Sequence, residues 1–181
     1  MRYAQVVPFE VCNGKGVGIS LFVQGCGLKC LNCFNPDTWD FSGGKYWSKD
    51  IEDRFFELLS RYYIKRVTIL GGEPLEKQNA EQVLNIVKKI KSEFPDKSLW
   101  LFSGYTFNQI INPAQLDCFD AERDKWYNQR KDIVELCDVL VDGRYVDELR
   151  DITLPFRGSS NQRVINVQES IANKEIVLYN N

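Results

Sequence analysis

The stretch Arg66-Val-Thr-Ile-Leu-Gly-Gly-Glu-Pro74 begins with a short run typical of a buried strand and leads directly into a glycine-rich turn. Such a run is typical of a strand covered on both faces of a sheet. Before it, residues 48–62 carry apolar side chains at helical spacing behind Ser48, a favourable N-cap. After it, a second helical pattern begins near Asn79, with Gln82 placed for a capping box. This alternation of helix, strand and helix predicts parallel βαβ units.

Further strands are predicted on both sides of this unit, and four of the strands end at polar or glycine-rich segments. These strands cover 3–7, 17–23, 98–102, 139–141, 163–167 and 175–179, with a weaker helix over 120–136. The four segments are a long loop over about 24–47, Gly71–Pro74, Ser103–Thr106 and Asp142–Arg144. In parallel α/β folds, chemistry is placed beyond the carboxyl ends of the strands. If the strands are parallel, the four segments therefore share one rim.

Length and composition favour one ordinary globular domain over residues 1–181. Hydrophobic residues make up 44% and charged residues 27%, with a net charge of −2, so no broad basic field is available for a nucleic-acid backbone. No apolar run approaches the roughly 20 residues that cross a bilayer. Residues Met1–Gln5 lack the apolar stretch of a secretory signal. We therefore expect a cytoplasmic protein that binds neither nucleic acid nor membrane.

The chain contains 6 cysteines and no histidine. Without histidine, Ser-His-Asp triads, Cys-His nucleophile pairs, HExxH zinc sites and Cys2His2 fingers are excluded. Cys26, Cys30 and Cys33 lie close together, and clustered thiols in a reducing compartment more often bind metal or perform redox chemistry than form disulfides. Cys12, Cys118 and Cys137 have no assigned functional role. Cys118 and Cys137 are interpreted as small core residues.

The clustered cysteines follow the spacing Cys-x3-Cys-x2-Cys within Gly25–Asn35. Thiolates favour zinc, copper(I) or iron–sulfur clusters. Structural zinc requires four ligands, whereas this loop supplies three. A [4Fe-4S] cluster normally takes four thiolates, so three would leave one iron open to an external ligand. The open readings are a cluster with one vacant iron, a zinc site with a distant fourth ligand, and unliganded core thiols.

This spacing, with the Gly71–Pro74 turn after the next strand, resembles the radical S-adenosylmethionine (SAM) superfamily. Many members carry an aromatic residue just before the third cysteine, whereas Asn32 stands there in this chain and Phe34 follows Cys33. In this departure the sequence resembles the activating enzymes of anaerobic (class III) ribonucleoside-triphosphate reductase. The resemblance also includes Gly16–Gly18, Gly25-Cys26, Cys33–Asn35, Thr38-Trp39, Ser103–Thr106, Val141–Tyr145 and Phe156–Arg163.

The resemblance implies an α/β fold, an incomplete parallel (β/α) barrel of the radical SAM type. Cys26, Cys30 and Cys33 would bind three irons of a [4Fe-4S] cluster, and the fourth iron would chelate the amino and carboxylate groups of SAM. Reductive cleavage would yield methionine and a 5′-deoxyadenosyl radical, which would take a hydrogen atom from a glycine of the reductase large subunit. Reduced flavodoxin is the implied electron donor. No side chain is assigned as catalytic, because the radical forms on the cofactor.

The resemblance places the SAM contacts on the two motifs. Asn32, Cys33 and Phe34 belong to the cofactor site, with Asn32 and Phe34 placed to touch the adenine. Gly71 and Gly72 let the backbone approach the methionyl group, with Glu73 as its charged partner. The alternatives are a plain strand-to-helix turn at Gly71–Pro74 and a core position for Phe34.

Two other rim segments have two readings each. Ser103 and Thr106 would meet ribose or carboxylate oxygens, or cap a helix. Asp142 and Arg144 would orient SAM or the glycine loop, or form an Asp-Gly turn. The glycines at 14, 16 and 18 do not lead into a helix and are not a dinucleotide fingerprint. The Phe156–Arg163 segment is assigned, by resemblance, to the partner-facing or active-site rim.

Several other functions stay open at this point. One alternative is an activase of another glycyl-radical enzyme, such as a pyruvate formate-lyase, and a more distant one is a SAM-dependent synthase of a modified purine. Outside this class stand an iron–sulfur electron carrier without SAM chemistry and a zinc-bearing binding module.

Overall fold

The fold was described from a computed structural model that covers residues 1–113 and 120–180. Its strands are β1 (Arg2–Glu10), β2 (Gly18–Val23), β3 (Lys45–Tyr46), β4 (Arg66–Gly71), β5 (Ser98–Ser103), β6 (Val139–Asp142) and β7 (Arg163–Asn166). Its helices are α1 (Lys49–Leu59), α2 (Lys77–Glu93), α3 (Phe107–Ile111), α4 (Ala121–Leu136) and α5 (Val167–Asn173). Within these ranges, no helix has the length and apolar character needed to span a membrane.

The described strands form one 7-stranded sheet in the order β3-β1-β2-β4-β5-β6-β7. The four central strands are parallel, with β2 beside β4, β4 beside β5 and β5 beside β6. Their carboxyl ends are in register, since Val23 is opposite Gly71 and Ser103 is opposite Asp142. The four predicted segments therefore do follow strands that end at one edge of the sheet.

The outer strands β1 and β7 run opposite to the central strands, whereas β3 runs in their direction because it is antiparallel to β1. β1 pairs antiparallel with β2, β3 with β1, and β7 with β6. The architecture is thus a mixed α/β sheet that is parallel only in its middle, and this outer part differs from the expected all-parallel arrangement.

One face of the sheet is covered by helices. Ile69 of β4, Leu101 of β5 and Leu140 of β6 are fully buried in the same cluster as residues of α1, α2 and α4. Burial of each such side chain stabilises the fold by about 1.5–3 kcal/mol. This packing fixes the strand ends, and the loops that follow them, relative to one another.

The opposite face carries a buried arginine at the amino end of β4. Arg66 is inaccessible to solvent and donates hydrogen bonds to the Glu10 carboxylate (2.6 Å) and to the carbonyl oxygen of Asn13 (2.7 Å). A Cβ on Gly14 or Gly18 would lie 2.7 Å from Arg66 side-chain atoms. Two members of the glycine pattern therefore make room for an arginine at the edge remote from the predicted rim.

Helix starts were predicted with mixed success. Ser48 caps α1 by accepting a hydrogen bond from the Ile51 N–H (3.4 Å), as predicted. The predicted start near Asn79 is wrong, because α2 begins at Lys77 with Glu76 at its N-cap. Asn79 is instead buried in the helix, where its amide donates to other loops.

The end of the chain also differs from the prediction. β7 stops at Asn166, whose side chain caps α5 by accepting from the Glu169 N–H (3.2 Å). The strand predicted over 175–179 is reduced to a single bridge between Leu178 and Ile165. Neither α3 nor α5 was predicted, because both are short and lack a long apolar period.

Candidate metal and cofactor site

A cleft opens at the carboxyl edge of the parallel strands, and the three clustered cysteines line it. Its floor is apolar, formed by Leu70, Phe102 and Val141 at the ends of β4, β5 and β6. Its walls combine the predicted segments with residues that follow them: Cys26, Cys30, Cys33, Gly71–Glu73, Ser103-Gly104, Gly143 and Tyr145. The structure therefore brings the cysteine loop, the glycine turn and the loops after β5 and β6 to one site.

The cysteine loop leaves β2 directly and folds back on itself. Main-chain bonds from Gly25 N–H to Thr38 O (2.8 Å) and from Cys26 N–H to Trp39 O (3.1 Å) hold its two arms together. Cys33 N–H donates to Cys30 O (3.1 Å), so these two cysteines stand on one tight turn. Cys26 is thus held by the returning arm of the loop, whereas the other two thiols depend on this turn.

The arrangement of the three thiols suits a cluster better than a single zinc ion. Within residues 1–113 and 120–180, no three Cys, His, Asp or Glu side chains converge on a position for a single metal ion. Tetrahedral zinc needs that convergence. In a [4Fe-4S] cluster, each cysteine binds a different iron, so the thiols need only surround a larger object. Three soft thiols on the wall of one cleft therefore fit a cluster.

In the metal-free chain, burial raises the pKa of two of these thiols, Cys26 and Cys30. It raises the pKa of Cys26 to about 11, with Glu73 and Glu76 acting in the same direction. Burial also raises the pKa of Cys30, although a hydrogen bond from the Tyr145 main-chain N–H lowers it in part. A bound cation deprotonates a coordinating thiol outright, so cluster assembly releases these protons.

The Gly71-Gly72 turn is packed against the backbone of the cysteine loop. A Cβ on Gly72 would lie 2.5 Å from the carbonyl oxygen of Gly25, and Gly71 has a φ of +109°. Gly72 N–H donates to Val23 O and Glu73 N–H to Gly25 O, both at 2.9 Å. Glycine is thus required for contact between two loops, a role that sequence reasoning missed. Contact between these glycines and SAM stays a prediction.

Glu73 is only 1% exposed and joins two strand-end turns. Its Oε1 accepts hydrogen bonds from Leu75 N–H (3.0 Å) and the Ser103 hydroxyl (2.9 Å), and its Oε2 accepts from Gly104 N–H (2.7 Å). Burial raises its pKa to about 7 although these three donors lower it. Its predicted pairing with a ligand ammonium stays a prediction; in the described chain its bonds hold the cleft wall together.

The two residues of the β5 loop have structural partners. The Ser103 hydroxyl is committed to Glu73, as described above. Thr106 is the N-cap of α3 in a full capping box, accepting from Gln109 N–H (3.3 Å) while Gln109 Oε1 accepts from Thr106 N–H (2.9 Å). The helix-cap alternative is therefore observed for Thr106.

Asp142 is buried at the end of β6 and forms more than an Asp-Gly turn. It makes an ion pair with Arg163 of β7, whose Nε donates to Asp142 Oδ1 (2.9 Å). Its Oδ2 accepts from Phe107 N–H (2.7 Å) at the start of α3. Arg144 lines a second, neighbouring cleft, in which Asn108 and Asn161 also lie.

Phe34 is 94% exposed, so the alternative of a core position is wrong. The reason is that Phe34 follows a turn whose own central residues, 31 and 32, are exposed. Next to it, Leu31 is 69% exposed. Asn32 adopts a left-handed φ of +52° and donates from Nδ2 to Asp147 Oδ2 (2.7 Å). Sequence reasoning missed Asp147, and no local pattern marks it, because its partner is 115 residues away.

The remaining cysteines are distant from the cleft or outside the described chain. Cys137 is fully buried and its thiol donates to Ile133 O (3.2 Å), which confirms its core assignment. Cys12 is exposed, just beyond the end of β1 at the opposite edge of the sheet. Cys118 lies outside the described residues.

Comparison with known proteins first defines the class. The family described as a 4Fe-4S single cluster domain matches residues 12–165, so the chain is an iron–sulfur protein with the cluster loop inside the matched region.

Curated relatives then narrow this class, and all three cited here carry the name anaerobic ribonucleoside-triphosphate reductase-activating protein. The relative from Escherichia coli (strain K12) is 37% identical over 91% of this chain and 97% of its own. The one from Vibrio cholerae is 37% identical over 90% and 96%, and the one from Enterobacteria phage T4 is 34% identical over 91% and 93%. The chain belongs to the family of anaerobic ribonucleoside-triphosphate reductase-activating proteins.

Proposed function

We propose that this chain activates an anaerobic ribonucleoside-triphosphate reductase by generating its glycyl radical, through reductive cleavage of SAM at a [4Fe-4S] cluster. The carrying observation is the cleft itself: of the described cysteines, only Cys26, Cys30 and Cys33 line it, beside the Gly71–Glu73 turn. Three thiols leave one iron for an external ligand, and family membership supplies the reaction and the protein substrate.

Each group of residues that lines the cleft has its own proposed role. Cys26, Cys30 and Cys33 would bind the iron, and the main chain at Gly71-Gly72 would contact the methionyl end of SAM. When bound, the cluster would pass on an electron from the reductant and SAM would supply the cleavable sulfonium. The floor of Leu70, Phe102 and Val141 is apolar, so it offers no polar or titratable side chain to a reactive species.

Asn32, Cys33 and Phe34 form the adenine side of the proposed site. An exposed aromatic ring next to a cluster ligand is available for stacking, which supports this role for Phe34. The Asn32 side chain is occupied by Asp147, so Asn32 contacts the adenine through its main chain.

We further propose that residues 1–181 form a single incomplete (β/α) barrel of the radical SAM type. The four parallel strands with helices on one face support this, and an open edge gives a large protein access to the cleft. The substrate is the large subunit of the reductase, reduced flavodoxin is the electron donor, and the location is cytoplasmic. Described cysteines that are all free thiols support a reducing location.

The deciding experiment is anaerobic incubation of the reconstituted chain with reductase, SAM and reductant, followed by electron paramagnetic resonance. We expect a glycyl radical on the reductase, release of 5′-deoxyadenosine, and iron and sulfide in the purified protein. Cys30→Ala is expected to abolish all of these signals, whereas Cys12→Ser, at the remote edge, is the matched control that retains them.

The other outcomes would contradict the proposal in distinct ways. Iron and sulfide without 5′-deoxyadenosine release would indicate an electron carrier. A radical on a pyruvate formate-lyase but none on the reductase would change the substrate. One zinc per chain without sulfide would exclude the whole mechanism.

A further inference from the structure

The loop after β6 reaches across the cleft to the cysteine loop through one carboxylate. Asp147 Oδ2 accepts from Asn32 Nδ2 (2.7 Å), and Asp147 Oδ1 accepts from the Tyr145 hydroxyl (2.6 Å). Tyr145 itself lines the cleft. The Asp147 carboxylate is therefore shared between the turn that carries two thiols and the opposite wall.

Asn32 is a sensitive point at which to hold this turn. It lies between Cys30 and Cys33 and has a φ of +52°, a conformation that costs free energy for most L-residues and that asparagine tolerates better. The Cys33 N–H to Cys30 O bond closes the backbone around it. Fixing the Asn32 side chain thus restrains the backbone of the turn between the two cysteines.

The β6 loop is held in turn by the polar segment Phe156–Arg163. Ser159, which is fully buried, accepts from Val146 N–H at its hydroxyl oxygen (3.2 Å). Asn161 Nδ2 donates to Arg144 O (2.8 Å) and Gln162 Nε2 to Gly143 O (2.9 Å). This segment braces the loop that carries Asp147, so its contacts extend from β7 to the cysteine turn.

We propose that Asp147 is a positioning residue that holds the Cys30–Cys33 turn at the cleft, with Phe156–Arg163 as its support. The proposal rests on the proposed function in one respect, namely that the turn binds a cluster. Cys26 is held separately, because its N–H donates to Trp39 O (3.1 Å). Loss of the restraint therefore weakens two of the three thiolate contacts and leaves the fold intact.

An exchange of the pair tests the proposal. N32D puts two carboxylates opposite each other, and we expect iron release from the anaerobic holoprotein to a ferrous chelator to accelerate about threefold to tenfold. The double variant N32D/D147N keeps one amide donor, one carboxylate acceptor and the wild-type net charge. It is expected to return the release rate to within about twofold of wild type.

Thermal unfolding of the cluster-free chains controls for a general loss of structure. Wild type, N32D and N32D/D147N are expected to have the same unfolding midpoint. Unchanged iron release in N32D would overturn the proposal, as would a double variant no closer to wild type than N32D. A holoprotein that forms no glycyl radical refutes the proposed function, yet its iron release still tests Asp147.

If no cluster assembles, iodoacetamide labelling of the cluster-free chain replaces iron release. N32D is then expected to speed labelling of Cys30 and Cys33 relative to Cys26, and the double variant to reverse the change. Equal relative rates in wild type and N32D would overturn the positioning role.

Discussion

The Glu73 carboxylate accepts a hydrogen bond from the Gly104 main-chain N–H at 2.7 Å, which joins the turn after β4 to the turn after β5. The same carboxylate binds the Ser103 hydroxyl. A carboxylate that is fully buried in this way must either lose its charge or depend on its donors. The cleft wall is therefore linked to the protonation of one acid.

Glu73 makes the stability of the cluster-free chain depend on pH. Its pKa is raised by burial to about 7 from an ordinary value of 4.5, so folding favours the protonated form. The unfolded chain loses this proton near pH 4.5 and the folded chain only near 7, so stability falls over that window and is level above it. The unfolding free energy of wild type relative to Glu73→Gln is expected to fall by roughly 2–3 kcal/mol across it.

Urea unfolding at several pH values measures this difference. Glu73→Gln also loses the bond to Gly104, but that loss is a constant offset and does not alter the slope. Parallel curves for the two proteins between pH 4.5 and 7 would show that folding does not raise the pKa of Glu73.

Gly72 is expected to tolerate no side chain. In Gly72→Ala the new Cβ would lie 2.5 Å from the carbonyl oxygen of Gly25, so the β4 turn and the cysteine loop must separate. Overpacking of this kind costs about 1–3 kcal/mol, and cluster content after reconstitution should fall with it.

Gly27→Ala is the matched control in the same loop. Its new Cβ would meet only the Glu76 side chain, nearest at Oε1 (3.0 Å), and this side chain can shift at the cost of one exposed hydrogen bond from the Gly27 N–H. Urea unfolding and iron content should leave this variant near wild type. Equal losses in Gly27→Ala and Gly72→Ala would contradict the loop-to-loop role of Gly72.

The shared rim could be predicted from sequence because it follows from local pattern and chain direction. Arg66–Leu70 is short and mostly aliphatic, and the helical patterns on both sides of it indicate parallel connections. Parallel connections place the motif cysteines at the carboxyl ends of the strands. The outer strands β1 and β7 carry no comparable signal of direction, so their antiparallel pairing was not predicted.

The polar contacts behind the rim could not be predicted, because their partners are distant in sequence. Asn79 suits a helix cap by residue type, but its amide donates to Gln24 O and Glu73 O, both at 3.0 Å. That competing use is visible only once β2 and β4 are neighbours. The role of Asp142 likewise depends on Arg163, which lies 21 residues further on.

The ion pair between Asp142 and Arg163 is expected to stabilise the fold. Arg163→Gln leaves a carboxylate that is 1% exposed with the Phe107 N–H as its described donor. Because the Arg163 side chain is 33% exposed and water can enter, the expected cost is about 2 kcal/mol, less than for a fully buried pair. Urea unfolding of the cluster-free chain measures this cost.

Lys77→Gln provides the comparison, because it breaks the Lys77–Glu122 pair on the surface. Both of its side chains are more than half exposed, so no measurable change in unfolding is expected. If Arg163→Gln behaves like Lys77→Gln, the buried carboxylate is being satisfied by other groups.

Substitution of Phe34 distinguishes a role in ligand binding from a role in the core. Since the ring is 94% exposed, Phe34→Ala should leave the unfolding free energy within about 0.5 kcal/mol of wild type. Stacking of a base on an aromatic ring contributes about 1–3 kcal/mol, so the affinity of the holoprotein for SAM should fall roughly tenfold. Equilibrium binding of SAM to the anaerobic holoprotein measures this change.

Tyr62→Ala is the control, because it removes a ring that is 85% exposed at the edge remote from the cleft. The affinity of this variant for SAM should match that of wild type. Unchanged affinity in Phe34→Ala would remove Phe34 from the adenine site and leave its exposed ring available to the protein substrate.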